Sequence, residues 1–440
     1  MGLRPANRLS SEQSPKSKLF LLKININTED KHRYNSRLKS QLRVFFMIDK
    51  KVLISGGGIA GLTLGILLKE KGWEPLVIER DTAVRTEGYM MGFFGTGWDV
   101  ADRMGLLSDI KKVHYPIDYL EYVDWNGDPH FPAVPIERVR KAFRGKFAFL
   151  RRPDLEFILF NRALASGVRI RFGTTIQSIK EEENGLQVVF NDGTMSAFQL
   201  LFGADGVHSN VRELIFGPES QFARYLGYYV AAFHTPNHDY CIGRSLEIYE
   251  EPGRIAWFYP LDANCMDAVY IFRHDNVGYL PHEKRLAFVQ EQFDGADWIA
   301  EDTLKKVSSS KPIYFDAMEQ IVMPDWYKGR IALLGDACGC LTLTAVQGSH
   351  MAMAGAYVIT QELERYSGDY QSAFTTYQQF LKPFVDRKQN DAIRFAGQLV
   401  PSSRTKMVFR YPLIRLIFNK FFLSHFLNLL GAKSILVNYS

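Results

Sequence analysis

The chain has 440 residues, enough for two or three domains, and its 46% hydrophobic and 23% charged residues are the balance of a globular protein rather than a disordered or fibrous one. The net charge of +5 is local: ten Lys or Arg against three acids put +7 on residues 1–46 and leave −2 on the rest, so nothing in the near-neutral body suggests a nucleic-acid surface. Cys241, Cys265, Cys338 and Cys340 are too few and scattered for a disulfide framework, and Cys338-x-Cys340 does not suit zinc, so we expect reduced thiols in a cytoplasmic protein.

Residues 1–46 are polar and basic, without the apolar stretch of a secretory signal. A transit peptide is one reading of them. The position of Met47 just before the first apolar run favours another: Met47 as the natural start, with 1–46 a disordered or non-native extension.

The segment that organises the rest is KVLISGGGIAGLTLGILLKEKGWEPLVIER, Lys51 to Arg80. Val52–Ile54 reads as a buried strand, Gly56, Gly57, Gly58 and Gly61 as a turn, and Ile59, Leu62 and Ile66 as one face of a helix stopped by Gly72. Leu76–Ile78 is a second strand ending on Glu79 and Arg80. In such a βαβ unit Gly56 permits the tight exit, Gly58 lets a pyrophosphate approach the backbone, and Gly61 lets the helix lie close to the sheet. Ile59 and Ala60 carry the helix N-terminus, whose N–H groups face the phosphates, and Glu79 can accept from a ribose hydroxyl. The motif predicts dinucleotide binding without deciding between FAD and NAD.

After Glu79 a glycine-containing loop leads to a short helix around Trp98, Ala101 and Met104. Tyr119–Val123 reads as a strand, and Arg151-Arg152-Pro153-Asp154-Leu155 opens a helix. Segments 168–172, 176–180 and 186–190 read as strands, with Asn184-Gly185 and Asp192-Gly193 as hairpin turns, forming an antiparallel ribbon. Leu200–Phe202 leads into a second glycine site, Asp205-Gly206, with Ser209 as cap of the next helix. From 224 to 274 alternation predicts a mostly antiparallel sheet that we assign to substrate binding, followed by two short helices around Gly295. Ile331–Leu334 runs into a third glycine site, Gly335-Asp336, then Gln347-Gly348 and a helix whose small residues suit packing against the sheet. Residues 367–440 read as helical. Their end, PLIRLIFNKFFLSHFLNLLG, is broken by Arg415, Lys420 and His425, so it is not a membrane span, although a basic amphipathic helix of this kind can lie on a membrane surface. His350 at the start of the third-site helix is a weak catalytic candidate. His234 and His238, read as part of a loop, are spaced too loosely to predict a metal site.

Three glycine sites in this order resemble the FAD-dependent monooxygenases of the aromatic hydroxylase type, with the para-hydroxybenzoate hydroxylase fold. The resemblance covers about residues 50 to 365 and is nearest the branch of tetracycline-inactivating and polyketide-tailoring monooxygenases. It implies an α/β fold: a Rossmann-like FAD-binding domain (GR2-type) in two parts, 47–222 and 316–366, an inserted antiparallel substrate domain, 223–315, and C-terminal helices, 367–440. It further implies that Gly56, Gly58 and Gly61 form the FAD pyrophosphate turn, that Glu79 meets the adenosine ribose, and that Arg152 lies against FAD. Asp205-Gly206 would be a shared FAD and nicotinamide contact, and Asp336 would hold the ribityl chain. The Gly348 helix would aim its positive end at the flavin.

The implied reaction is NAD(P)H-driven hydroxylation, through a flavin C4a-hydroperoxide, of an aromatic or polyketide-like molecule with O2. NAD(P)H would be a transient co-substrate, since the chain has no second GxGxxG. Leu341 and Leu343 stand where the family favours proline, and Val346 where it favours glycine. The alternatives are a reductase or desaturase of the geranylgeranyl-reductase type, or a flavin-binding protein with impaired turnover. A flavin halogenase would want Trp-x-Trp-x-Ile-Pro, and Trp257-Phe258-Tyr259-Pro260 lacks one tryptophan.

Overall fold

The computed structural model describes residues 50–237, 243–308, 313–342, 347–419, 423, 433–437 and 439. The extension 1–46 and Met47, with His238, Cys241, Leu343, Val346, Lys420 and His425, lie outside the described residues.

The organising sheet has six strands in the order Tyr327–Lys328, Ile331–Leu333, Leu200–Gly203, Lys51–Ser55, Glu74–Ile78 and Arg169–Arg171. All pairs are parallel except the one formed by Tyr327–Lys328. Val52, Leu53, Ile54, Leu200, Leu201 and Phe202 are fully buried, as expected of parallel strands covered on both faces, which is why they read as unbroken apolar runs. Register aligns the strand ends: Ser55 pairs with Gly203 and Ile78, and Gly203 pairs with Leu333. The three glycine turns therefore leave neighbouring strands at the same edge, where open α/β sheets place ligands.

The helix Ile59–Glu70 covers one face, and the helix Gly348–Arg365 packs on it. Here the sequence reading is corrected. The helix Gly348–Arg365 packs chiefly on helices Ile59–Glu70, Gly95–Arg103 and Tyr370–Leu399 rather than on the sheet. A Cβ on Gly355 would sit 3.4 Å from Leu381 Cδ2 of the last of these. Ile176–Glu182, Gly185–Phe190 and Met195–Phe198 form the antiparallel ribbon.

The second large sheet runs Tyr314–Ile321, Ala223–Pro236, Cys265–Arg273, Arg254–Pro260, Ser245–Glu251, Tyr119–Val123 and Val134–Pro135. Only Ser245–Glu251 with Tyr119–Val123 is a parallel pair. Strands outside the span 223–315 thus complete it at both edges, and Tyr314–Ile321 straddles the boundary drawn at 315. A long central strand recruits partners by hydrogen bonding, not by sequence proximity. On Ala223–Pro236 the side chains alternate. Tyr229, Ala231 and Phe233 face helices His282–Gln292 and Ala300–Lys306, while Tyr228, Val230 and Ala232 face Met90, Phe149 and Val400. Met90–Phe94, read from sequence as loop, is a strand paired with Phe147–Arg151. Helices Tyr370–Leu399 and Arg404–Ile417 come after the third glycine site and its helix. Among the described residues no helix is long and apolar enough to cross a membrane.

Candidate functional site

The first turn is fixed by close approach. Gly56 has φ 110°, its N–H donates to Ile78 O at 2.8 Å, and a Cβ there would lie 2.3 Å from the Ala204 carbonyl. A Cβ on Gly61 would lie 1.9 Å from Gly56 O, so this glycine closes the helix onto its own turn as much as onto the sheet. Gly58 differs: a Cβ there would meet only Glu156 Oε1, at 3.7 Å. The turn is therefore open at Gly58, and no side chain caps the helix that starts at Ile59 and Ala60. Buried Glu79 accepts from Gly57 N at 2.7 Å and Asp81 N at 3.1 Å, while Arg80 is exposed.

The second turn is held from within. Asp205 accepts from Ser55 Oγ at 3.2 Å, Val211 N at 3.1 Å and Ser209 Oγ, and Ser209 in turn caps Arg212 N at 3.0 Å. Burial raises the Asp205 carboxyl, and these donors oppose the rise. Both its oxygens already serve the chain, so its first task is to hold the loop that carries Gly206 (φ 80°). Arg212, to which the sequence reading gave no role, is fully buried and donates to Val207 O, to Ala337 O at 3.1 Å and to Glu219 at 2.6 Å. It joins the second turn to the third. The signal available in the sequence was its place one turn after the cap, which does not reveal a partner 125 residues away.

At the third turn Gly335 has φ 59°, and a Cβ would lie 3.2 Å from Ala60 Cβ and 3.5 Å from Ala352 Cβ. The first and third turns thus touch. Asp336 begins the short helix Asp336–Gly339, and its Oδ1 is 3.9 Å from where a Cβ on Gly348 would be. Gln347 is buried at the N-terminus of the Gly348 helix, which no side chain caps. Burial raises the Asp336 carboxyl against the opposing Arg152 guanidinium. Arg152 Nη2 is 3.0 Å from Glu156 Oε1, and Glu156, with support from Tyr89, Tyr314 and Asp336, raises the Arg152 pKa although burial lowers it. Tyr89 and Tyr314 meet edge-on with centroids 5.3 Å apart. Glu156 thus stands between Gly58 and Arg152, Asp336 stands beside Gly348, and the Arg152 and Asp336 charges act on one another.

His350 is not among them. It is packed between Phe93 and Phe94 and accepts from Phe94 N at 3.4 Å, and burial pushes its pKa down to about 3. A neutral imidazole sealed in the core has no access to a reacting atom, so the catalytic candidacy falls. His234 is also relocated. It lies not in a loop but in the strand Ala223–Pro236, in register with Asp267. Among the described residues no cluster of His, Cys, Asp or Glu could hold a metal.

Comparison with known proteins agrees with this geometry. Residues 49–387 match the family described as FAD binding domain. A flavin-dependent monooxygenase from an unknown prokaryotic organism is 31% identical over 347 residues, 77% of this chain and 87% of its own. FAD-dependent monooxygenase asL4 of Sarocladium schorii is 27% identical over 334 residues, covering 72% of this chain and 76% of that protein. The crystal structure of tetracycline destructase Tet(51) superposes with TM-score 0.70 at 29% identity, covering 78% of this chain and 89% of the other.

Proposed function

The chain belongs to the FAD-binding-domain family as an FAD-dependent monooxygenase of the aromatic hydroxylase type, and from that premise we propose that it consumes NAD(P)H and O2 to hydroxylate an aromatic or polyketide-like small molecule in the cytoplasm. The observation that carries this reading is the register of Ser55, Gly203 and Leu333, which delivers three glycine turns to one edge beside Arg152 and Asp336.

The residues present fit FAD. Gly58 leaves room where a Cβ would stand, and the uncapped helix behind it, starting at Ile59, offers N–H groups to the pyrophosphate. Arg152 pairs with Glu156 Oε1 at 3.0 Å and offsets its charge, which keeps the carboxylate beside Gly58 compatible with a neighbouring pyrophosphate. Glu79 at its strand tip suits the adenosine ribose, with exposed Arg80 beside it. Asp336 suits the ribityl hydroxyls, and Gln347 and Gly348 suit the flavin's polar edge, where the helix N-terminus favours negative charge. Asp205 and Gly206 hold the loop between. Bound FAD supplies the redox chemistry that takes electrons from NAD(P)H and activates O2. The protein's own part is to orient the substrate, to exclude water and to place polar groups around the flavin. A contact of the C-terminal segment with a membrane surface is a further part of this reading; residues 420–422 and 424–432 lie outside the described residues, and the support comes from exposed Val408, Phe409, Leu413 and Leu416 on the helix Arg404–Ile417.

The test is a spectrum of the purified protein followed by NAD(P)H consumption over a panel of phenolic and polyketide compounds under labelled oxygen. Label in the product supports hydroxylation. Bound FAD reduced by no nicotinamide, or reduction of the substrate without oxygen incorporation, overturns it.

A further inference from the structure

The third glycine turn runs into a helix of a single turn, Asp336–Gly339, and one turn alone does not hold its shape in water. Its geometry depends on what grips it. Arg212 holds the Ala337 carbonyl, and one side of the helix Tyr370–Leu399 holds the rest. Tyr377 Oη donates to Leu333 O at 3.1 Å, just before Gly335, and Val385 Cγ1 stands 2.8 Å from where a Cβ on Gly339 would be. Gln389, only 3% exposed, closes the far end by donating from Nε2 to Cys340 O at 2.9 Å. The same nitrogen donates to Ile321 O at 2.7 Å, so both N–H groups of the amide are used. Gln320 Nε2 donates back to Gln389 O at 2.8 Å and fixes the long helix against the strand Tyr314–Ile321.

Cys340 is buried, and its carbonyl and thiol have different tasks. The carbonyl takes the Gln389 bond. The thiol donates to the Asp336 carboxylate four residues back, a bond that opposes the rise that burial imposes on that carboxyl. Burial, with Asp336 beside it, pushes the thiol well up, so it stays an S–H donor. An ionised carboxylate has about four lone-pair sites. The thiol therefore orients the group and leaves acceptor capacity for a ligand.

Resting on the placement of FAD proposed above, we propose that Cys340 and Gln389 are positioning residues for the cofactor: the Cys340 thiol aims the Asp336 carboxylate at the ribityl hydroxyls, and Gln389 fixes Cys340. Both act through Asp336. Because the same amide also holds Ile321, the edge strand of the second large sheet and the cofactor carboxylate share one anchor.

The readout is FAD affinity of the flavin-stripped full chain, titrated by quenching of flavin fluorescence. Asp336→Ala should weaken binding at least about tenfold, the loss of hydrogen bonds to a charged group. Cys340→Ala and Gln389→Met should each weaken it by about threefold to tenfold. In the Asp336→Ala background neither should weaken it further, because no carboxylate is left to aim. Cys340→Ser keeps a donor and should bind FAD as wild type does, a comparison that stands even where Gln389→Met does not fold. Losses that add to that of Asp336→Ala, or equal FAD affinity in Cys340→Ala and Cys340→Ser, overturn the role of these two residues and leave the monooxygenase reading standing. Wild-type affinity in Asp336→Ala removes that carboxylate from the cofactor site, and this inference with it.

Discussion

Arg212 donates to the carbonyl of Ala337 at 3.1 Å and so clamps the second glycine turn to the third from within the core. The guanidinium also holds Val207 O and Glu219, and burial lowers its pKa. Arg212→Ala would leave Glu219 without this partner and two carbonyls without a donor, a loss of about 3–5 kcal/mol. Arg212→Lys cannot reach all three and should recover only part of this. Chemical denaturation monitored by flavin release should show both variants losing cofactor before the rest of the chain unfolds.

Gly58 and Gly61 should separate binding from folding. Gly61→Ala forces a Cβ to 1.9 Å from Gly56 O, so the turn must open and the protein should be strongly destabilised. Gly58→Ala meets only Glu156 Oε1, at 3.7 Å, and should fold with stability within about 1 kcal/mol of wild type. The added methyl stands where the pyrophosphate would pass, so FAD affinity should drop at least tenfold. Equal flavin affinity in Gly58→Ala and wild type would remove that residue from the cradle.

These contrasts show what the sequence could carry. The three turns were readable because each is local: an apolar strand, a glycine exit and a helix start lie close in sequence, the third and longest spanning Ile331 to Gly348. What escaped was set by pairing across the fold. Met90–Phe94 has no alternation, and only its partner Phe147–Arg151 makes it a strand. Arg212 was visible as a residue but not as a clamp, because Ala337 is remote in sequence. His234 looked like part of a loop because its face depends on register with Asp267. His350 was only a weak catalytic candidate from its place at a helix start, and its neighbours in space, Phe93 and Phe94, bury it in the core.

That burial gives His350 a pH signature. Its folded pKa, about 3, lies below the ordinary 6.5, so between those values the unfolded chain binds the extra proton. Stability contributed by the neutral ring is therefore complete above pH 6.5 and is lost progressively as pH falls toward 3, by at most about 4–5 kcal/mol. His350→Leu should lower stability at pH 7.5 through imperfect packing and the orphaned Phe94 N–H, yet flatten the acid dependence. Urea midpoints at pH 5 and 7.5 for the two proteins measure the difference. An equally steep slope in the variant would assign the acid lability elsewhere.

The helix Arg404–Ile417 faces two ways. Met407, Arg410, Tyr411 and Ile414 turn inward, with Arg410 paired to buried Glu250 and Tyr411 packed on Tyr122 and Phe131. Val408, Phe409, Leu413 and Leu416 turn outward, with Phe409 77% exposed. Arg404, Lys406 and Arg415 lie on the same helix, whose residues 404–417 include no acid. Apolar residues on one side with cations alongside suit shallow insertion at an anionic lipid surface, where each cation near the surface adds about 1 kcal/mol. Sedimentation with vesicles containing phosphatidylglycerol should pull down the wild type at low salt and release it at high salt, while neutral vesicles should not bind. Phe409→Glu adds a negative charge and removes the most exposed ring of this helix without touching Arg410 or Tyr411. It should abolish pull-down with no change in fold, and retention at wild-type levels would mean that this face is not the contact.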